Sequence, residues 1–184
     1  MKKIFLCLGI FLFLAACKNN GSNKNSPVKT CVIQRINELY SLYGSSNDAL
    51  YNKPFSESLF SPELKRILEE AVNTSKADIE KVKHSDHPDE KPLLFEGAVF
   101  SSLYEGYDSY KIKSVVINPS GTSADAEVTF EYTMSQPKVI WTDKVHLIKS
   151  GLEWKIDNIS FDSIGNSKDL KASLKDFTRT QNSH

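Results

Sequence analysis

Cysteine is nearly absent from this chain: there are three in 184 residues, at positions 7, 17 and 31. No two of them form a Cys-x-x-Cys pair, which excludes the paired-cysteine zinc and thiol-redox motifs and leaves no disulfide framework to build on. Neither sign of charge is in excess, with 23 Lys and Arg against 23 Asp and Glu. No basic arm or patch stands out, which argues against nucleic acid as a partner. The eight glycines are nowhere arranged as a phosphate-cradling loop, and no Gly-x-Ser-x-Gly elbow is present. No apolar run reaches the ~20 residues that a membrane-spanning helix requires.

The longest apolar run that is present lies at the amino terminus. Met1-Lys2-Lys3 is a short basic segment, and Ile4 to Leu14 follows without a charge. The small residues Ala15 and Ala16 come next, giving the order of a cleaved secretory leader. Leu14-Ala15-Ala16-Cys17 resembles the lipobox of bacterial lipoproteins. That resemblance implies cleavage between Ala16 and Cys17, a diacylglyceryl group on the Cys17 thiol, and N-acylation of the new terminus. Two or more acyl chains give stable anchoring where one gives only marginal binding. Loss of Lys2 and Lys3 with the leader leaves the remainder slightly acidic, about −2.

Residues 1–16 therefore read as a signal peptide, and 17–26 as the lipidated cysteine and a flexible tether. Lys18 to Ser26 contains no apolar residue. Residues 27–178 read as one domain, large enough for a single core, and 179–184 as a tail. Cys31 is left alone, within an apolar helical pattern, so a buried inert thiol is expected.

Ser26-Pro27 is a helix start, with serine as cap and proline at the first helical position. Val28, Cys31, Val32, Ile36, Leu39, Tyr40 and Tyr43 recur at helical spacing up to a stop at Gly44. The face formed by Val32, Ile36, Leu39 and Tyr43 requires a large cover. Residues 44–52 read as a loop. Ser61-Pro62 repeats the helix start, and Leu64, Ile67, Leu68, Ala71 and Val72 form an apolar face. The pattern weakens at Asn73-Thr74-Ser75 and resumes to Lys83, so either one long helix or two short ones is expected.

His84-Ser85-Asp86-His87-Pro88 gathers the chain's only cluster of metal-ligand types. Proline and a helix end deny the rigidity that zinc demands, so a solvated linker is expected and no metal. Four strands follow. Ala124 to Ser135 alternates cleanly, with Ala124, Ala126, Val128, Phe130, Tyr132 and Met134 on one face and polar residues on the other. This is the pattern of an antiparallel sheet with one packed and one wet face. Asn118-Pro119-Ser120-Gly121 is a turn, and Ser150-Gly151 reads as a tight hairpin turn. Trp141 and Trp154 on the last two strands need partners for their indole N–H groups. Ser167 is positioned to cap a last helix carrying Leu170, Leu174 and Phe177.

Helices followed by an antiparallel meander define an α+β chain. The order resembles the cone-shaped fold of nuclear transport factor 2, in which a curved four-stranded sheet wraps a helix. Pro92-Leu93-Leu94-Phe95-Glu96-Gly97, then Phe100-Ser101-Ser102-Leu103-Tyr104-Glu105-Gly106, is similar to a segment of the YbjP- and YqhG-type bacterial lipoproteins, a family of unknown function. The hairpin from Trp141-Thr142-Asp143-Lys144-Val145 to Trp154-Lys155-Ile156-Asp157-Asn158-Ile159 fits that family's ending. Where its members often carry acidic residues, this chain has Lys91 and Ala98. The resemblance implies a compact envelope lipoprotein and no reaction.

Tyr40, Tyr132, Asp143 and His146 are the residues a proton-transfer site in such a cone would use. Tyr40 and Tyr132 lie on apolar faces, where a core role with the hydroxyl at the rim is expected. Asp143 and His146 differ by three positions on one strand, so they face opposite ways. No catalytic residue, metal or cofactor is expected beyond the lipid on Cys17. Tyr104 and Tyr107, flanking Glu105-Gly106, are the candidate contacts with a partner, although packing beneath their loop explains them equally well.

The expectation is a non-enzymatic binding or accessory module for an envelope partner. The alternatives are an immunity protein against a toxin delivered to the periplasm, or a ligand-binding or enzymatic cone. Lys18 in place of aspartate after Cys17 directs the protein to the outer membrane, facing the periplasm, if the host is Gram-negative. Replacing Cys17 with alanine should abolish labelled-palmitate uptake and release the protein from the membrane fraction; retention of both would exclude lipidation at this residue.

Overall fold

The computed structural model describes residues 27–44, 47–165 and 168–181. The stretches read as leader and tether, Cys17, and two of the three serines expected to cap helices, Ser26 and Ser167, lie outside the described residues. The elements run α1 (Pro27–Tyr43), α2 (Asp48–Asn52), α3 (Pro62–Lys83), β1 (Ser109–Ile117), β2 (Ser123–Tyr132), β3 (Val139–Ser150), β4 (Glu153–Ser160) and α4 (Leu170–Gln181). The chain is thus α+β, with helices preceding a four-stranded antiparallel meander of order β1-β2-β3-β4. No helix among the described residues is long and apolar enough to cross a membrane.

α1 has the bounds that its spacing predicts, and Gly44 ends it at φ +47°, in the left-handed region that glycine enters without strain. Val32, Ile36, Leu39, Tyr40 and Tyr43 are buried. Cys31 is not: it is exposed, one position round the helix from Val32. A cysteine beside an apolar stripe is not part of it, and the expectation of a buried thiol is corrected. The stretch 44–52 is not all loop either, since α2 forms within it and buries Leu50.

α3 is one helix. Asn73 and Thr74 lie on its outward side, while Ser75 is buried, so the polar run never interrupts the packed face. The Ser61 hydroxyl caps it, accepting from Leu64 N at 3.1 Å. Just before this cap the backbone of Leu59 and Ser61 bonds both sides of Ile156, in a parallel bridge at Phe60 that covers the free edge of β4. On the opposite edge, no strand among the described residues pairs with the outer side of β1, and a register shift between Ile112 and Ser114 breaks it at Lys113. A bulge and a lysine are common defences of an open edge.

The sheet's inner face carries Ala124, Ala126, Val128, Phe130, Trp141, Val145, Leu147, Trp154, Ile156 and Ile159, all buried. Its outer face is wet. Asp125 and His146 pair there at 2.8 Å, and Thr129 and Thr142 share a bond at 2.9 Å. Met134 lies beyond the end of β2 and is exposed, because pairing with β3 stops at Tyr132 and Val139. In the last hairpin Ser150 pairs with Glu153, so the two turn residues are Gly151 and Leu152 rather than Ser150 and Gly151.

α1 meets both edge strands. Asn37 accepts from the Tyr110 hydroxyl of β1 at 3.1 Å, and Arg35, two residues away, reaches Glu153 of β4 at 3.6 Å. α4 begins at Leu170, where the Asp169 carboxylate accepts from Ala172 N at 2.9 Å and acts as the cap. The helix continues through residues 179–181, past the boundary read as a tail. Lys171 fastens it to Glu63 at the start of α3 and to Asp157 of β4, at 2.8 and 2.9 Å. Ser61→Ala, which removes the α3 cap in a buried position, should lower unfolding free energy by about 1 kcal/mol; an unchanged urea midpoint would show that the cap contributes nothing.

Candidate functional site

Residues 93–106 form no regular element, yet they are tied down at both ends. At the first end, Leu93 N donates to Asp78 of α3 at 2.6 Å, and the Ser75 hydroxyl donates to Leu93 O at 2.7 Å. With its proton so used, Ser75 accepts from the Tyr51 hydroxyl at 2.8 Å, and Tyr51 in turn accepts from Phe95 N at 2.9 Å. Asn47 donates to Phe95 O. Two helices thus hold the loop through a chain of hydroxyls.

Asp143 holds the other end. It lies on the inner face of β3, with 0% of its surface exposed. Ser102 N donates to it at 2.9 Å, Asp162 N at 3.0 Å and the Trp141 indole at 3.3 Å, and the Ser102 hydroxyl donates as well. Asp162 N also donates to Ser102 Oγ at 2.7 Å. Every neighbour is a donor, an arrangement suited to a carboxylate, which only accepts. The Asp162 side chain accepts from Thr142 N at 3.1 Å and so binds the chain after β4 back to β3.

Between these attachments the loop folds on itself. Ala98 N donates to Tyr104 O at 2.9 Å, and Gly97, at φ +67°, lies so close to that carbonyl that a Cβ would collide with it. The loop, Phe161 and α4 enclose a cleft of about 330 Å³. Its walls are Leu94, Phe95, Val99, Phe161, Leu170, Leu174 and Phe177, and Ser101 and Ser102 also line it. Phe95 and Phe177 stack at 4.1 Å between centroids. Glu96 and Tyr104 stand at the exposed mouth, where Glu96 pairs with Lys91 and accepts from the Tyr104 hydroxyl at 3.3 Å. The Lys91 ammonium holds the Glu96 carboxyl below the usual carboxylate range.

The two candidate contact tyrosines part company. Tyr104 is 58% exposed at this mouth. Tyr107 turns inward, packing against Tyr40, Tyr110 and Phe130, and its hydroxyl is buried without a partner. Burial pushes that hydroxyl well above the usual tyrosine value.

Tyr40 behaves similarly. Its hydroxyl is buried and unpartnered rather than at the rim, because the ring runs inward beneath Phe130, and burial, then the Asp143 charge, raises its pKa. Tyr132 is half-buried at the end of β2. Asp143 and His146 do face opposite sides of the sheet: Asp143 is sealed, whereas His146 pairs with Asp125 on the wet face. His84 caps its helix end through Glu80 O at 2.8 Å, and among the described residues no group of three or more metal-ligand side chains assembles.

The role of Asp143 as a latch went unread in the sequence, although a signal exists. It shares strand parity with Trp141, Val145 and Leu147, and an acid on an apolar face must find buried donors. Ser101 carries no comparable signal. Comparison with protein-family models, curated proteins and solved structures found no match.

Asp143→Asn sets an amide NH₂ against donors and should cost about 2 kcal/mol of stability. Burial raises the native Asp143 pKa. Its contribution to stability is therefore complete below the unfolded value of ~3.9 and lost as pH rises through the native one. Asp162, held low chiefly by Thr142 N–H, acts oppositely, and its contribution is lost as pH falls. In urea titrations from pH 3 to 7 the gap between wild type and Asp143→Asn should narrow as pH rises. A widening gap would show that the four donors outweigh burial.

Proposed function

We propose that this chain is a lipid-anchored envelope protein whose domain acts as a non-enzymatic docking module for another envelope protein. The single observation that carries the reading is the cleft under the 93–106 loop. It is an apolar, aromatic-walled recess with an exposed tyrosine at its mouth, on a loop fastened at both ends before any partner arrives. Pre-ordered recesses flanked by aromatic residues are where interfaces concentrate their binding free energy, since little ordering cost remains to be met on association.

The lipobox at Leu14 to Cys17 supplies the location. With Cys17 diacylated and the short polar tether beyond it, the domain stays within a few nanometres of the bilayer. Lys18 favours the outer membrane as the anchor site in a Gram-negative host. The fold reading is that of a nuclear transport factor 2-like cone. Supporting it, Arg35 and Asn37, neighbours on α1, bond opposite edge strands of the sheet, as expected if the sheet curls round the helix. Membership of the YbjP- and YqhG-type lipoproteins belongs to the same proposal, and the segment that carries the likeness, Pro92 to Gly106, is the cleft loop.

The test is photocrosslinking in whole cells, with a benzophenone amino acid replacing Tyr104 in one strain and Leu152, 96% exposed on the last hairpin turn, in another. A discrete envelope protein captured from position 104 and not from 152 supports the docking reading. Capture of lipid alone from both positions sinks it.

A further inference from the structure

We infer that the cleft recognises one aromatic side chain ending in a neutral hydrogen-bond donor, a tyrosine phenol or a tryptophan indole presented by the protein partner. This rests on the docking reading above and names the chemistry of the group that docks.

Size sets the first limit. At the ~30 Å³ that a small molecule such as water occupies in a liquid, about 330 Å³ has room for the ring of one aromatic side chain. The volume is at the small end of the ~300–1,000 Å³ typical of ligand pockets. Tyr104 and Glu96 are exposed at the mouth, whereas Phe95, Ser101, Leu170 and Leu174 are buried. That depth profile suits a side chain entering from outside while its main chain stays at the mouth. Phe161 and Phe177 in the walls offer ring contacts.

Ser101 sets the second limit. It lines the cleft, is 5% exposed, and its hydroxyl oxygen has no hydrogen-bond partner. The other buried hydroxyls without partners among the described residues, Tyr40 and Tyr107, belong to the aromatic cluster and do not line this recess. Buried polar groups are ordinarily satisfied, so an unpaired hydroxyl in an apolar recess marks where an incoming polar atom would be received.

Charge sets the third. Next to Ser101, Ser102 is bonded to the buried Asp143 carboxylate. The neighbouring negative charge favours a donor and opposes a carboxylate at the inner end. At the mouth the Lys91–Glu96 pair is self-neutralising, and the charge beside Tyr104 that remains, on Glu105, is negative and likewise opposes an anion. A neutral O–H or N–H at the tip of an apolar ring meets all three limits.

The test uses full-length lipidated protein in nanodiscs, with empty nanodiscs as blank, titrated with capped amino acids and read by saturation-transfer NMR. N-acetyl-tyrosinamide should bind at least threefold more tightly than N-acetyl-phenylalaninamide. 4-Carboxy-N-acetyl-phenylalaninamide, charged at the ring tip, should not bind. Ser101→Ala should erase the tyrosine preference, a loss of about three- to tenfold, the usual worth of one hydrogen bond, and leave phenylalanine binding unchanged. Leu174→Trp, which fills the cleft, should abolish binding of both. Should Leu174→Trp fail to fold, Val99→Trp fills the same cleft from the opposite wall. Equal binding of the tyrosine and phenylalanine amides, or a preference that survives Ser101→Ala, overturns the inference. Capture of a partner from position 104 without any preference for the tyrosine amide overturns it too and leaves the docking reading intact. Failure of both experiments removes both.

Discussion

Asp143 is one carboxylate with no exposed surface, and four donors from three parts of the chain converge on it. Trp141 comes from its own strand, Ser102 from the loop before the sheet and Asp162 from the chain after it. Stripping water from a carboxylate is costly, and its burial raises its pKa. The compensation is geometric: each donor finds an acceptor, and segments about 40 and 20 residues away in sequence are brought against β3. Such an arrangement contributes little net stability against an apolar substitute and a great deal of specificity, since removing one partner strands the others. The cleft exists because this latch and the hydroxyl chain through Tyr51 and Ser75 hold the two ends of one loop.

The rest of the fold surrounds that core polar cluster with ordinary packing. Tyr40, Tyr107, Tyr110, Phe130 and Trp141 form a continuous ring cluster between α1 and the sheet, and Tyr43, Phe55, Phe60 and Phe100 form a second between α1 and the turn before α3. The outer face of the sheet carries exposed polar pairs, the Asp125–His146 hydrogen bond and the Glu131–Lys138 ion pair among them. Pairs of that kind are worth ~0–1 kcal/mol each and serve mainly to keep the face wet. The Lys171 bridge to Asp157 and Glu63 differs, because its ammonium is mostly covered and joins three elements.

Local patterns were legible wherever a residue's neighbours in sequence are also its neighbours in space. The bounds of α1 and α3, the Ser61 cap, the Asn118–Gly121 turn and the alternation of β2 all followed from period and turn chemistry. Periodicity overreached at margins. Cys31 adjoins an apolar stripe but faces solvent. Met134 continues an alternation that pairing does not reach. In the last hairpin the register moved the turn to Gly151 and Leu152. At the start of α4 the Asp169 carboxylate accepts from Ala172 N, a contact set by where the chain leaves β4.

By itself the sequence determined the α+β order, the wet-faced sheet and the opposite orientation of Asp143 and His146, because each depends on spacing or on short motifs. Only the tertiary structure decided that Tyr104 stands at a cleft mouth while Tyr107 turns its hydroxyl inward, that Tyr40 hides its hydroxyl, that Asp143 is a latch and that Ser101 is left unpaired. Those outcomes depend on contacts between residues far apart in the chain. Burial and hydrogen-bond satisfaction are properties of what surrounds a group in space, and no local period encodes them.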